Sequence, residues 1–264
     1  MSIDLPQGLQ ISHFKELDAF ILQQMDKYLD KTPRSEGLHA SDLLDPRYMY
    51  WSKKKPLLRT AQQTYLYTTG KTLEDFFIHI TSQKKSPAKH LGGQQQTSEE
   101  FGLEFAPDWE YKGIPLELKS SRSPFLPKEF GDIRIYLEQC AIYMTVMKRL
   151  DYALTVWYLC ARDEKNKTHP MTRSYHIQWT EADLEYMVKQ VKAKIYHVKE
   201  VMKRDDPSLF PVCREWKCGE RQCFYWEDCQ PPGRYGLKYS DWEKTEDPQL
   251  ILPEGMTWDT LSFP

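Results

Sequence analysis

Phe101–Arg122 reads FGLEFAPDWEYKGIPLELKSSR, and the rest of the chain is understood outward from it. The apolar residues predict two short β segments joined by a turn at Lys112–Gly113. Asp108 ends the first segment, and Glu117-Leu118-Lys119 lies on the second. Strand alternation sets Glu117 and Lys119 on one face and Leu116 and Leu118 on the other. Two carboxylates and an ammonium then converge beside a hydrophobic sheet. Two carboxylates suit a hard divalent cation such as Mg²⁺ or Mn²⁺. A neighbouring lysine can orient a metal-bound water for phosphodiester hydrolysis. An acidic-x-Lys triplet also arises by chance roughly once or twice in a chain of this length. The same triplet equally describes a solvated pair on an edge strand.

Composition narrows the class. The chain has 264 residues, room for one large domain or two small ones. Hydrophobic residues at 40% and charged residues at 28% exclude a disordered polyampholyte. The net charge of −2 is not that of a general polyanion binder, although a local basic surface is compatible with it. No apolar run reaches the roughly 18 residues of a membrane span. MSIDLPQGLQ lacks a basic region followed by an apolar core, so a cytoplasmic protein with no membrane partner is expected.

Before the central stretch, residues 14–29 carry an amphipathic helical pattern, and residues 84–98 read as a polar loop. Ser41 is expected to cap a helical turn leading into Tyr48, Tyr50 and Trp51, read as core-facing aromatics. Aromatics beside SKKK also suit a nucleic-acid strand. A helix over about 60–83 contains Gly70, whose cost to helix propensity suggests a close approach to another backbone. Glu74 follows on that helix, and Asp75 and His79 share one of its faces. Either Glu74 or the Asp75/His79 pair is a candidate upstream metal ligand. After Lys119, the residues Ser120, Ser121 and Arg122 are candidates for phosphate contacts. A helix over about 132–150 sets Gln139 and Tyr143 on one face. Strands follow at 152–160 and 173–179, and then a long helix opening on a Thr180/Asp183 capping box. Cys140 and Cys160 are read as buried packing residues.

Cys213, Cys218, Cys223 and Cys229 crowd into seventeen residues. In a reducing compartment that density points to metal or cluster ligation rather than disulfides. The spacing lacks the tight C-x-x-C knuckle of many zinc sites. It suits a 4Fe–4S cluster at least as well, with structural Zn²⁺ the alternative. From Tyr235 onward there are two lysines against six acids, which suggests an acidic tail that docks on this chain or on a protein partner.

Read together, Glu74, Asp108, Glu117-x-Lys119 and Gln139-x-x-x-Tyr143 occur in the order helix, strand, strand, helix, closed by the cysteines. This resembles the PD-(D/E)XK nuclease superfamily over roughly residues 40–230, and within it the RecB-type exonucleases. That branch includes CRISPR-associated adaptation exonucleases and related phage proteins, and the Gln-x-x-x-Tyr helix is its specific mark. The resemblance implies an α/β fold with a restriction-endonuclease-like central mixed sheet flanked by helices. It further implies a helical segment over 1–40, a nuclease core over 41–205, a cysteine segment over 206–232 and the tail over 233–264. Asp108, Glu117 and the Leu118 carbonyl would bind Mg²⁺ or Mn²⁺, with Glu74 as upstream ligand. Lys119 would position the water, Gln139 and Tyr143 would shape the DNA side, and the four cysteines would stand for the cluster ligands. Two positions depart from the family: Asp45 stands where iron–sulfur members place an upstream cysteine, and Glu74 where many carry histidine.

The expected function is a metal-dependent deoxyribonuclease, an exonuclease on single-stranded or frayed DNA ends. Two other readings fit the same residues: a non-catalytic nucleic-acid-binding adaptor with a degenerate nuclease fold, and an iron–sulfur redox protein.

Overall fold

The structure is a computed structural model, and it describes residues 15–29, 36–57, 60–81, 88–91, 95–128, 130–163, 165–210, 213 and 223–229. The chain divides into two compact units, one of residues 1–34 and 58–77, the other of residues 35–57 and 78–264.

In the first unit, helix α1 (Lys15–Tyr28) is accompanied by most of a helix (Ala61–Thr81) that continues into the second unit. The Tyr28 hydroxyl donates to the Asp75 carboxylate, and Lys71 Nζ sits 3.0 Å from the same side chain. Gly70 is not at a close approach: among the described residues, a Cβ there would have nothing within 4 Å. The glycine therefore costs helix stability without a packing return.

The second unit is built on a mixed sheet. Helix α2 (Pro46–Lys54) precedes the Ala61–Thr81 helix, which is α3 in chain order. Strands β1 (Ala88–His90), β2 (Gln96–Ser98), β3 (Leu103–Phe105), β4 (Trp109–Tyr111) and β5 (Ile114–Ser121) follow. Helix α4 (Arg134–Met147), strands β6 (Asp151–Arg162) and β7 (Thr168–Gln178) and helix α5 (Glu181–Arg204) complete the core. The main sheet has the order β1-β4-β5-β6-β7, and β2 pairs with β3 in a separate ribbon. Neighbours in the main sheet are antiparallel except β5 and β6, which run parallel. A parallel pair needs a long crossover, and α4 supplies it. The expected mixed sheet with flanking helices is thus present.

The core gathers Leu154 and Val156 of β6, Met144 and Val146 of α4, and Val191, Ile195 and Val198 of α5. Leu43, Met49 and Tyr50 close it from the N-terminal side. Tyr50 is core-facing, as the packing reading expects, and its hydroxyl reaches Asp205 Oδ1 at 2.8 Å. The Thr180/Asp183 capping box is present at the start of α5, with Asp183 N–H to Thr180 Oγ1 at 3.2 Å and Thr180 N–H to Asp183 Oδ2 at 2.9 Å.

Several expectations are corrected. Asp45, not Ser41, is the N-cap residue of α2, because Pro46 locks the first helical φ and lacks the N–H that a helix already begun at Ser41 would need from it. The polar stretch before the central segment holds β1 and β2, three residues each, too short and too polar for a period-2 pattern to register. Residues 101–111 are two strands rather than one. The Ala106-Pro107-Asp108 break sends β3 to the ribbon and β4 to the main sheet, so Asp108 precedes β4 instead of ending a strand. Cys160 is exposed because the register of β6 shifts between Tyr158 and Ala161: alternation alone would set it on the core face with Leu154, Val156 and Tyr158, but past the irregularity Ala161 is the buried residue.

Opposite signs are expected at two glycines. Gly70→Ala should raise stability by about 0.5–1 kcal/mol through the unfolded chain and helix propensity. Gly113→Ala, at φ +85°, should lower it by about 1–2 kcal/mol. Urea titrations of the two variants check both, and a loss at Gly70 would mean that a hidden contact exists there.

Candidate active site

The site begins with a hairpin. Tyr111 pairs with Ile114 around Lys112 and Gly113, whose φ values of +51° and +85° are those of a type I′ turn. That turn matches the right-handed strand twist and so sets the register: Trp109 faces Leu116 and Glu110 faces Pro115. Continuing the register by one residue brings Asp108 opposite Glu117. Asp108 is held there by the Leu118 amide, which donates to Oδ2 at 2.9 Å. Behind it Trp109, 1% exposed, packs at a tilt against its cross-strand partner His90 with ring centroids 4.5 Å apart.

Glu117 lies under the parallel pair at 2% exposure. A buried carboxylate is costly unless donors reach it, and two do. Lys119 Nζ donates to Oε1 from two residues along the same strand face, and Gln139 Nε2 donates to the same oxygen from α4 at 2.8 Å. The Gln139 amide also lies 3.2 Å from the Tyr143 hydroxyl, one turn further along α4. The crossover helix and the strand are therefore joined by one polar network.

The electrostatics follow from that geometry. Burial works against a charged Lys119, but the Glu117 and Asp108 carboxylates outweigh it and hold its pKa above the ordinary lysine value. The Tyr143 hydroxyl is pushed up by burial and by the Glu117 charge, and Cys140 beside it likewise. The pocket thus sets a charged Lys119 against the Asp108 and Glu117 side chains, with neutral Tyr and Cys walls.

Asp108 and Glu117 offer hard oxygen donors. Among the described residues no group of three or more His, Cys, Asp or Glu side chains converges to hold an ion. Two carboxylates are nonetheless the usual protein share for Mg²⁺, which keeps waters and takes substrate phosphate oxygens for the rest. The donor set fits such a cation.

The structure brings together Asp108, Glu117, Lys119, Gln139 and Tyr143. Ser120 and Ser121 are the last residues of β5 rather than its sequel, and Arg122 follows, exposed. Glu74 belongs to the first unit, where Lys71 Nζ lies 3.5 Å away; Asp75 is the Tyr28 partner there. Cys213 is buried and Cys223 and Cys229 are half-buried, while Cys218 and the acidic tail lie outside the described residues. Tyr225, between two of these cysteines, packs edge-on against Tyr48 of α2 at 5.2 Å.

Two residues escape the sequence reading. Tyr136 stands one turn before Gln139 and extends the same α4 face, which lengthening the Gln139–Tyr143 stripe would have found. Tyr152 of β6 is fully buried, its ring 6.2 Å from Tyr143, and no hydrogen-bond partner for its hydroxyl occurs among the described residues. Nothing local marks it, because it reaches the site only through strand pairing.

No family profile matches the chain, and comparison with curated protein sequences gives no match. Among solved structures, the crystal structure of SSO0001 aligns with 81% of this chain and 96% of its own at 17% identity and a TM-score of 0.52. The two chains share a fold. The alkaline exonuclease LHK-Exo aligns over 64% of this chain in two structures. One, with dAMP, covers 90% of its own chain at 12% identity and a TM-score of 0.37. The other, from Laribacter hongkongensis, covers 95% at 13% identity and 0.30. Those two values lie below the level at which a shared fold follows.

Removing the α4 donor tests the network. Gln139→Leu should destabilise the protein by about 1–3 kcal/mol, the cost of leaving a buried acceptor short of a donor. The double variant Glu117→Leu/Gln139→Leu should cost less than the sum of the singles. Additive losses in chemical denaturation would mean that the two side chains do not interact.

Proposed function

We propose that this chain is a divalent-metal-dependent deoxyribonuclease, an exonuclease on single-stranded or frayed DNA ends. The observation that carries the reading is the convergence of Asp108, Glu117, Lys119 and Gln139 on one face of the β5–α4 unit. A structural ion pair needs only one donor for one acid. Here two acids, an ammonium and an amide meet at the C-terminal half of a strand paired in parallel, where open α/β sheets commonly bind ligands.

Asp108 and Glu117, with the Leu118 carbonyl, would hold Mg²⁺ or Mn²⁺. Such an ion supplies Lewis-acid polarisation of a phosphoryl oxygen and a water of lowered pKa. The residues do the rest. The Leu118 amide fixes the rotation of the Asp108 carboxylate. Gln139 holds one oxygen of Glu117 in place. Lys119 stays charged beside both acids and can orient a water by donating from Nζ while offsetting charge on the phosphate. Tyr143, kept neutral by burial, is a donor for the substrate side. Ser120, Ser121 and Arg122, at the end of β5, are proposed to contact phosphates of the bound strand.

Cys213, Cys218, Cys223 and Cys229 are proposed as ligands of a 4Fe–4S cluster, with Zn²⁺ the alternative. Their spacing supports this, and its role is to pin the segment that Tyr225 seats on α2.

End-labelled single- and double-stranded DNA with Mg²⁺, Mn²⁺ or EDTA tests the activity. Asp108→Ala and Lys119→Ala should each slow divalent-dependent cleavage by at least about 100-fold. Added Mg²⁺ should raise the melting temperature of the native chain but not of Asp108→Ala. Cleavage at the native rate in either variant would sink the assignment of these residues. Anaerobically purified protein should carry iron, or else zinc, in stoichiometric amount, lost on Cys213→Ser; a chain with neither metal removes the cysteine proposal.

A further inference from the structure

A cleft of about 760 Å³ opens between Ser121 at the C-terminal end of β5, the segment leading to α4 and the first turns of α4. Ser121, Ser123, Phe125, Lys128, Tyr136 and Tyr158 lie on its walls. Ser121 is two residues beyond Lys119 and so on the same strand face. Tyr136 is one turn before Gln139 on α4. Its hydroxyl is pushed up by burial and drawn back by the Lys119 charge, as expected of a group within reach of that ammonium. The cleft therefore begins two residues beyond Lys119 on β5 and one turn before Gln139 on α4.

Phe125 is its unusual feature. The ring is 67% exposed, the highest value among the exposed large hydrophobic residues described. Its backbone is nevertheless braced. Ser123 Oγ accepts from the Phe125 N–H at 3.1 Å and donates to the Phe125 carbonyl at 2.9 Å. The Ser123 N–H donates to Ser121 Oγ at 3.1 Å, and the Arg162 N–H of β6 donates to the Pro124 carbonyl at 2.9 Å. Further on, the Asp132 carboxylate takes the Lys128 N–H at 2.8 Å. A large aromatic ring is thus held out over an open cleft, although burying it would be favourable.

We propose that this cleft is the base-binding subsite of the nuclease, in which Phe125 and Tyr136 stack an unpaired base next to the scissile phosphate. The proposal rests on the nuclease reading and specifies its substrate. Aromatic faces accept any base, because every base offers a π surface. The hydroxyl of Ser121, whose oxygen accepts from Ser123 and whose proton is not used there, and the ammonium of Lys128 suit the sugar–phosphate chain that must accompany it. The volume lies in the range of pockets that hold ligands of nucleotide size, roughly 300–1,000 Å³. A base inside a duplex has both faces covered by its neighbours. The subsite therefore takes single-stranded or frayed DNA and excludes paired ends.

The test is equilibrium binding of the full-length protein in Ca²⁺ to a labelled thymidine 15-mer, the same length of abasic sugar–phosphate, and a blunt hairpin. Divalent-dependent cleavage is measured on the same preparations. The native chain should bind the 15-mer more tightly than the abasic strand or the hairpin. Phe125→Ala should weaken the 15-mer by about 5- to 100-fold, the loss of one base–aromatic stack, and leave the abasic strand within about twofold. Phe125→Trp should keep the 15-mer near native affinity. Because Phe125 is exposed, an unchanged melting temperature is expected, and it separates a lost stack from a lost fold. Equal loss on both strands, or none on the 15-mer, overturns the subsite whether or not DNA is cut. Base-dependent, Phe125-dependent binding without any cleavage upholds the subsite and overturns the nuclease reading instead.

Discussion

A carboxylate that is almost wholly out of water is the constraint on which the centre of this molecule depends. Glu117 cannot remain charged there without donors, and burying it alone would cost several kcal/mol. Lys119 and Gln139 supply them from two different elements. The strand and the crossover helix can then pack in only one relative position without leaving Glu117 Oε1 short of a donor. A hydrophobic residue at 117 would have filled the space at no such cost, so the geometry is arranged around a charge and not merely tolerant of it.

The second acid is positioned by a different device. Asp108 lies in a short break between two strands that belong to different sheets. What aims it is the type I′ turn at Lys112–Gly113, six residues of register, and the amide of Leu118. A turn of another length would shift every side chain of β4 to the opposite face. Buried Trp109, packed against His90 of the short edge strand, then keeps that register from slipping.

The two halves of β5 divide the work. Its middle carries the acid and the ammonium, and its end opens into the aromatic cleft. Because β6 runs parallel to β5, both strands finish on the same side, and the crossover helix begins there too.

Much of this was legible in the residues themselves. Alternation placed Glu117 and Lys119 on one face, helical spacing paired Gln139 with Tyr143, and the Thr180/Asp183 box marked the start of α5. Each of these is a short-range periodicity, fixed by 2.0 or 3.6 residues per repeat. The failures were of another kind. β1 and β2 are too short to show a period. Gly70 carries no sign of whether space surrounds it. Cys160 reads as apolar whichever way β6 turns it. The sequence by itself determined which elements form and which side chains share a face, because those follow from local geometry. Only the tertiary structure decided that α4 lays Gln139 against Glu117, that Asp108 faces the same acid across a hairpin, and that Tyr136 and Phe125 border one cleft. Those are contacts between residues 10 to 22 positions apart or drawn from different elements. They are set by strand pairing and by the cost of burying an unpaired charge, neither of which any local window of sequence contains.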